Sequence, residues 1–158
     1  MTGRIPTIAE EIEKQWCAYS GVSPYNQELK LLLHSPDPDW CVLGIGYRED
    51  LVGDPLTGAM HGGVITALLD AAFGVAVRVR LPVAIPMVTL DLRIDHVRPA
   101  TPGRMLFGGA VCHKVTADFA FVRGAAYHDT PDDPIAVSIG VFMFPNGAPV
   151  LSREGLPQ

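Results

Sequence analysis

The chain has little of what marks several common classes of protein, beginning with cysteine. Its 158 residues contain three cysteines, Cys17, Cys41 and Cys112, an odd number without CxxC spacing. This usage favours neither a disulfide framework nor a zinc site, and it is typical of a reducing compartment. We therefore expect a cytoplasmic protein with no bound metal.

Positive charge is also scarce. Twelve Lys and Arg residues stand against 17 Asp and Glu residues, which gives a net charge of −5. Nucleic-acid binders neutralise phosphates with basic stripes, and no such stripe is present, so we expect no nucleic-acid partner. The charge does not exclude a phosphorylated small-molecule ligand, because a few local arginines are enough to hold one.

Long apolar runs are missing as well. The first 16 residues carry charges where a signal peptide needs an apolar segment. The most membrane-like stretch, residues 64–79, is interrupted by Asp70 and Arg78 and is shorter than the roughly 20 residues of a span. We therefore expect no membrane segment.

What is present is enough apolar sequence for one core, since 48% of the residues are hydrophobic. We predict a single domain: an N-terminal helical extension over 1–38, a core over 39–145 and an irregular tail over 146–158. Within it, residue patterns predict helices over 7–19, from Asn26 to Leu33 and over 62–80, a loop over 48–59, and strands over 40–47, 87–97, 104–115, 119–127 and 135–144.

The helix over 62–80 decides the predicted fold. It is apolar on every face, so we expect it to be buried on all sides. Consecutive strands joined by short turns favour an antiparallel sheet, and that sheet must wrap the helix. The fold class is α+β, and its single sheet leaves a face or an edge that dimerisation would cover.

The start of this helix suggests a reaction site. Gly62 and Gly63 follow His61 and let a ligand approach the backbone, where the first N–H groups of the helix lack partners. Such donors suit a carbonyl oxygen that gains negative charge, and Asp70 could act as general base or nucleophile. The alternatives are an ordinary helix start and a buried structural carboxylate bonded to a backbone donor.

The spacing of His61 and Asp70 adds a constraint. Nine residues of α-helix correspond to about 13 Å of rise and about half a turn. The two side chains cannot meet within one chain. If both serve one site, that site joins His61 of one protomer to Asp70 of another, as a two-fold dimer allows.

These residues resemble a known family. His61-Gly62-Gly63, then Ala67-Leu68-Leu69-Asp70 and Gly74, then Arg98-Pro99-Ala100 resemble the hotdog-fold acyl-CoA thioesterases of the phenylacetate-pathway type, over about Val42 to Phe144. The resemblance implies an antiparallel sheet around one long helix, dimers often paired into tetramers, and cofactor-free hydrolysis of acyl- or aryl-acyl-CoA.

The resemblance also implies roles for single residues. Asp70 matches the catalytic carboxylate, Gly62 the backbone donor to the thioester carbonyl, and His61 the histidine beside it. Thr89 falls where the family often has a Ser or Thr that positions water, although a β-branched residue in a strand needs no such reason.

Substrate-binding candidates are less specific. They are Gly63, Asp54, Arg98 and Arg123. The two arginines lie on or beside predicted strands and are the candidates for binding the CoA phosphates. Asp54 stands near where the family often has an Asn, but an ionised Asp can only accept hydrogen bonds. It is either a turn residue or a second carboxylate in the site, which would raise the pKa of one of the pair.

Two rival functions remain at this point. A hydratase or dehydratase on the same fold would use His61 and Asp70 for proton transfer at carbon. A non-catalytic acyl-CoA-binding module would hold the thioester without cleaving it. Free thiol released from a saturated acyl-CoA distinguishes hydrolysis from both.

Overall fold

The structure, a computed structural model, describes residues 10, 14, 16, 23–81 and 85–145. The helical elements are α1 (Pro24–Leu29), a 3-10 turn (Glu49–Leu51) and α2 (Gly62–Arg78). The strands are β1 (Leu32–Pro36), β2 (Cys41–Ile45), β3 (Val52–Asp54), β4 (Ala59–Met60), β5 (Val88–His96), β6 (Leu106–Val115), β7 (Phe119–Tyr127) and β8 (Ala136–Met143).

Six of the strands form one antiparallel sheet in the order β1-β2-β6-β7-β8-β5. The strands β3 and β4 form a separate hairpin. The long helix α2 packs against one face of the large sheet and contacts β2, β5, β6, β7 and β8. This confirms the predicted α+β hotdog architecture, with β5 at one edge of the sheet.

The predicted helix α2 and the four strands after it are confirmed to within two residues at each end. The short helix is different: it begins at Pro24 with Ser23 as its N-cap and ends at Leu29. The segment after it forms β1, because its backbone pairs with β2 in spite of Pro36, which lies at the strand end. The predicted loop over 48–59 holds the 3-10 turn and most of the β3–β4 hairpin.

The terminal predictions are tested only in part. Of the helix predicted over 7–19, the structure describes Glu10, Lys14 and Trp16, which are helical. Trp16 is 8% exposed and belongs to the hydrophobic core. The tail over 146–158 lies outside the described residues. Among the described helices, none is long and apolar enough to cross a bilayer.

The helix approaches the sheet where the sheet has no side chains. Phe73 is fully buried and lies over Gly124 of β7 and Gly140 of β8. A Cβ on Gly124 would lie 2.6 Å from the Phe73 ring and 2.3 Å from the Gly109 carbonyl oxygen. Both glycines are therefore required by packing, because the aromatic ring occupies the space of a side chain.

The prediction that α2 is buried on all sides is wrong for a single chain. Its sheet-facing side is buried, but Gly63 and Thr66 are exposed, and Ala67, Asp70 and Gly74 are half-exposed. These positions recur at spacings of three and four and so form one stripe along the helix. The sheet covers one side of α2 only, which leaves this stripe facing outwards.

The contact between Phe73 and Gly124 gives a stability prediction. We expect Gly124→Ala to lower the free energy of unfolding by about 1–3 kcal/mol, because the methyl group has no room beside the ring and the backbone. The matched control is Gly46→Ala, where nothing lies within 4 Å of the added Cβ. Urea unfolding at one protein concentration measures both, and equal stability of the two variants would contradict this packing role.

The buried cysteines give a second prediction. Burial raises the pKa of the Cys41 thiol to about 12, with a smaller contribution from the Asp37 carboxylate, and burial raises the pKa of the Cys112 thiol. The reactive form is the thiolate, so both stay protonated and unreactive at pH 8. In a Cys17→Ser background, Ellman's reagent should detect no free thiol until guanidinium unfolds the chain. Reaction in the native state would show that burial does not protect them.

Candidate active site

His61 caps the N-terminus of α2. Its backbone is extended, with φ −63° and ψ 137°, and its ring Nδ1 accepts a hydrogen bond from the Gly63 amide at 2.9 Å. Its own amide donates to the Leu51 carbonyl at 2.9 Å. Since Nδ1 is an acceptor, the proton of the neutral ring lies on Nε2. The exposed imidazole thus offers Nε2–H as a donor beside the helix start.

The Gly62 amide remains unpartnered. Among the described residues, no backbone or side-chain acceptor receives its N–H, as is usual for the first residue of a helix. The amide lies at the positive end of the helix dipole. It is therefore a fixed donor suited to an oxygen that gains negative charge.

Asp70 lies in the middle of α2, on the half-exposed stripe. Its Oδ1 accepts a hydrogen bond from the Thr89 hydroxyl at 2.8 Å. This bond fixes the direction of the carboxylate and leaves the other oxygen, Oδ2, with no hydrogen-bond partner in the described part of the chain. The carboxylate is thus oriented by the protein and still open to a ligand or water.

Thr89 reaches Asp70 because β5 is irregular. Simple alternation predicts that Thr89 points the same way as Asp91 and Arg93, away from the helix. In the structure the register with β8 shifts between Thr89 and Asp91, and Leu90 is left without a partner. This bulge turns Thr89 towards the face that carries Leu92 and Ile94.

A cavity of about 360 Å³ opens beside the start of α2. Its lining is mainly apolar and includes Met60, Ile65, Val97, Pro99 and Ala100. Gly62 and the imidazole of His96 also line it. The sequence gives no signal for a role of His96 beyond its lack of metal-ligand spacing, because a single histidine in a strand forms no motif.

The wall formed by residues 97–100 is held by His128. This residue is 4% exposed, and its Nε2 accepts from the Thr101 amide at 2.9 Å. Its Nδ1 donates to the Met105 carbonyl at 2.7 Å, so the ring joins the middle of the loop between β5 and β6 to the end of that loop. Two ion pairs, Arg98–Asp133 and Arg104–Asp129, attach the same loop to the turn after β7.

Asp54 is a turn residue in this structure. Its carboxylate accepts from the Thr57 hydroxyl at 2.6 Å and from the Leu56 amide at 3.0 Å. These hydrogen bonds, that of Thr57 first, hold the pKa of Asp54 below its usual range. Both hydrogen bonds are made within the turn between β3 and β4, which supports the interpretation of Asp54 as a turn residue.

The other substrate-binding candidates differ in position. The Gly63 N–H already donates a hydrogen bond to the His61 ring, so it is not free for a ligand. Arg98 lines the cavity, but its guanidinium is paired with Asp133 at 2.8 Å. Arg123 is exposed and pairs in register with Ile139 on the face of the sheet opposite Phe73. A role for Arg123 in binding remains a prediction without support from its position.

The predicted catalytic residues fall into two groups. His61 and Gly62 lie at the start of α2, beside His96 at the end of β5. Asp70 and Thr89 lie at the middle of α2 and the start of β5. The helix runs without a break between them, so the rise of about 13 Å expected from the spacing holds. One chain alone does not bring the two groups together.

Comparisons with known proteins identify similar sequences and structures. The sequence model of the thioesterase superfamily matches residues 57–135. A protein of Halobacterium salinarum named "Putative esterase" is 35% identical over 102 residues, which cover 62% of this chain and 68% of that protein.

Two solved structures extend the comparison to most of the chain. A Pseudomonas aeruginosa protein has a TM-score of 0.75 and 36% identity, with 84% of this chain and 98% of that one covered. A mutant of the phenylacetic acid degradation protein PaaI from Thermus thermophilus has a TM-score of 0.66 and 27% identity, with 77% and 99% covered. Together with the sheet and helix described above, these matches show that the chain belongs to the thioesterase superfamily and has the hotdog fold.

Proposed function

We propose that the protein hydrolyses acyl-CoA thioesters to a free acid and CoA. The Gly62 amide binds the thioester carbonyl oxygen, which becomes negatively charged when the carbonyl carbon is attacked. In one route, Asp70 takes a proton from the water that attacks the carbon. In the other route, Asp70 attacks the carbon itself and forms an anhydride, which is then hydrolysed. In both routes the C–S bond breaks, and the CoA sulfur leaves and is protonated.

One observation carries the proposal: the two groups of catalytic residues lie near opposite ends of the same exposed edge strand. His96, beside Gly62, ends β5, and Thr89, bonded to Asp70, lies at its start, about 20 Å away for an extended strand. An antiparallel neighbour runs in the opposite direction. Pairing of two β5 strands about Leu92 would therefore bring Asp70 of one protomer to Gly62 of its partner.

The surface around β5 supports such a dimer. The strand pairs with β8 on one side, and within the described residues its other side has no strand beside it. Val88 is 46% and Leu90 56% exposed there. The stripe of α2 from Gly63 to Gly74 is also uncovered. Exposed strand edges with apolar residues are sites of pairing, so a second copy of the chain is the partner we propose.

For the acyl group we propose a chemical class only. The cavity walls are mainly apolar, which suits a hydrocarbon or aromatic acyl group better than a charged one. The Thermus thermophilus relative is named for phenylacetic acid degradation, and aryl-acyl-CoA esters are therefore included among the substrates proposed. A cytoplasmic location and catalysis without a metal or cofactor remain predictions.

The first test is Asp70→Asn. We expect thiol release from acyl-CoA to fall by at least about 10²-fold in kcat, because the amide is neither a base nor a nucleophile. The control is Asp118→Asn, which changes an exposed carboxylate in the turn between β6 and β7. Dithiobis(nitrobenzoate) detection of free CoA over short, medium, long and aryl-acyl esters measures both. Full turnover by Asp70→Asn on every ester would refute the mechanism.

The second test asks whether the site is shared. Gly62→Pro removes the amide donor, and proline fits the first position of a helix after the extended His61. Neither Gly62→Pro nor Asp70→Asn should be active alone. When equal amounts of the two variants are mixed and reassociated, about half of the dimers contain one copy of each. Each mixed dimer has one complete site out of two, so about a quarter of wild-type activity should return. No return of activity in verified mixed dimers would refute a site that combines Gly62 of one protomer with Asp70 of the other.

The same assays separate the rival functions. Hydration of an enoyl-CoA without thiol release from a saturated ester would identify a hydratase. Tight binding of acyl-CoA without either reaction would identify a binding module. Release of thiol from saturated esters, lost in Asp70→Asn, is the result that supports hydrolysis.

A further inference from the structure

His96 occupies a position that its place in the sequence does not suggest. It ends β5 on the face that also carries Leu92 and Ile94, which is the face turned to α2. Its ring lies against the helix start: Cε1 is 3.5 Å and Nε2 3.7 Å from the point where a Cβ on Gly62 would be. The imidazole therefore packs beside the residue that offers the free amide.

Both ring nitrogens of His96 are free to bind a ligand. Among the described residues, neither takes part in a hydrogen bond or an ion pair, and the residue is exposed where it lines the cavity. His34 and His113 are exposed as well, and within the same described residues they form no hydrogen bond either. His96 differs from both in lining the cavity against Gly62.

The distances allow one oxygen atom to contact both donors. A Cβ position lies about 2.5 Å from the amide nitrogen of its own residue by covalent geometry. With the 3.7 Å contact, the His96 Nε2 and the Gly62 nitrogen are at most about 6 Å apart. Two hydrogen bonds of about 2.9 Å to a shared oxygen span this distance.

We propose that His96 is a further catalytic residue, whose Nε2–H donates to the thioester carbonyl oxygen together with the Gly62 amide. This inference rests on the proposed function for the identity of the substrate. The imidazole acts as a hydrogen-bond donor and transfers no proton. It stabilises the negative charge on oxygen while the tetrahedral intermediate exists, and the charge leaves with the sulfur when the C–S bond breaks.

The kinetic test compares two substitutions at this position. His96→Phe keeps a ring of similar shape and removes the donor, so kcat should fall on the order of 10²-fold with little change in KM. His96→Gln places an amide N–H near the position of Nε2 and should restore most of the loss. The control is His113→Phe, because His113 is an exposed histidine of β6 that lines no described cavity and should keep wild-type kinetics.

A spectroscopic test does not depend on turnover. An acyl-CoA analogue in which CH₂ replaces the sulfur keeps the carbonyl but cannot be hydrolysed. We expect the ¹³C-labelled carbonyl stretch of the bound analogue to shift to lower frequency, since hydrogen bonds weaken the C=O bond. The shift should be reduced in His96→Phe and kept in His96→Gln and His113→Phe.

The two readouts distinguish this inference from the proposed function. An unchanged carbonyl shift and a kcat within about threefold of wild type in His96→Phe would overturn the role of His96, whatever Asp70→Asn does. Absence of analogue binding to the wild-type protein would overturn it as well. A carbonyl shift that depends on His96 in a protein that releases no thiol from any ester would support the inference and refute the hydrolase.

Discussion

The close contact between Phe73 and the glycines of β7 and β8 is the constraint on which the rest of the structure depends. A ring seated where Gly124 and Gly140 lack side chains fixes how near α2 lies to the sheet and how it is rotated. That rotation turns Leu68 and Ala72 into the core and turns Asp70 outwards. The orientation of the proposed catalytic carboxylate is therefore set by packing on the opposite side of the helix.

Much of the fold could be predicted because its physical signals are local. The high apolarity of α2 and the alternation in β5 to β8 both follow from the sequence. The pairing of β5 with β8 could not be predicted, because neighbours in a sheet depend on contacts between distant residues. Strand β1 was missed for a related reason: its proline favours a loop locally, but pairing with β2 overrides that preference.

The candidate site divides in the same way. His61, Gly62 and Asp70 belong to one element, so their spacing alone predicted that they lie apart in one chain. The hydrogen bond between Thr89 and Asp70 was beyond pattern analysis, since alternation assigns Thr89 to the wrong face of β5. His96 could not be found either, because only the folded chain brings it to Gly62.

The unpaired Leu90 makes the register of β5 part of the site. Regular pairing of every residue would place Leu90 opposite Phe142 and Thr89 opposite Met143, which would turn Thr89 away from α2. Loss of Leu90 from the chain would have the opposite result, because Thr89 would then lie two positions before Leu92 in a regular strand, on the same face. The hydroxyl that orients Asp70 would be kept. The register of β5 against β8, rather than the residue type at position 90, is therefore what the hydrogen bond between Thr89 and Asp70 requires.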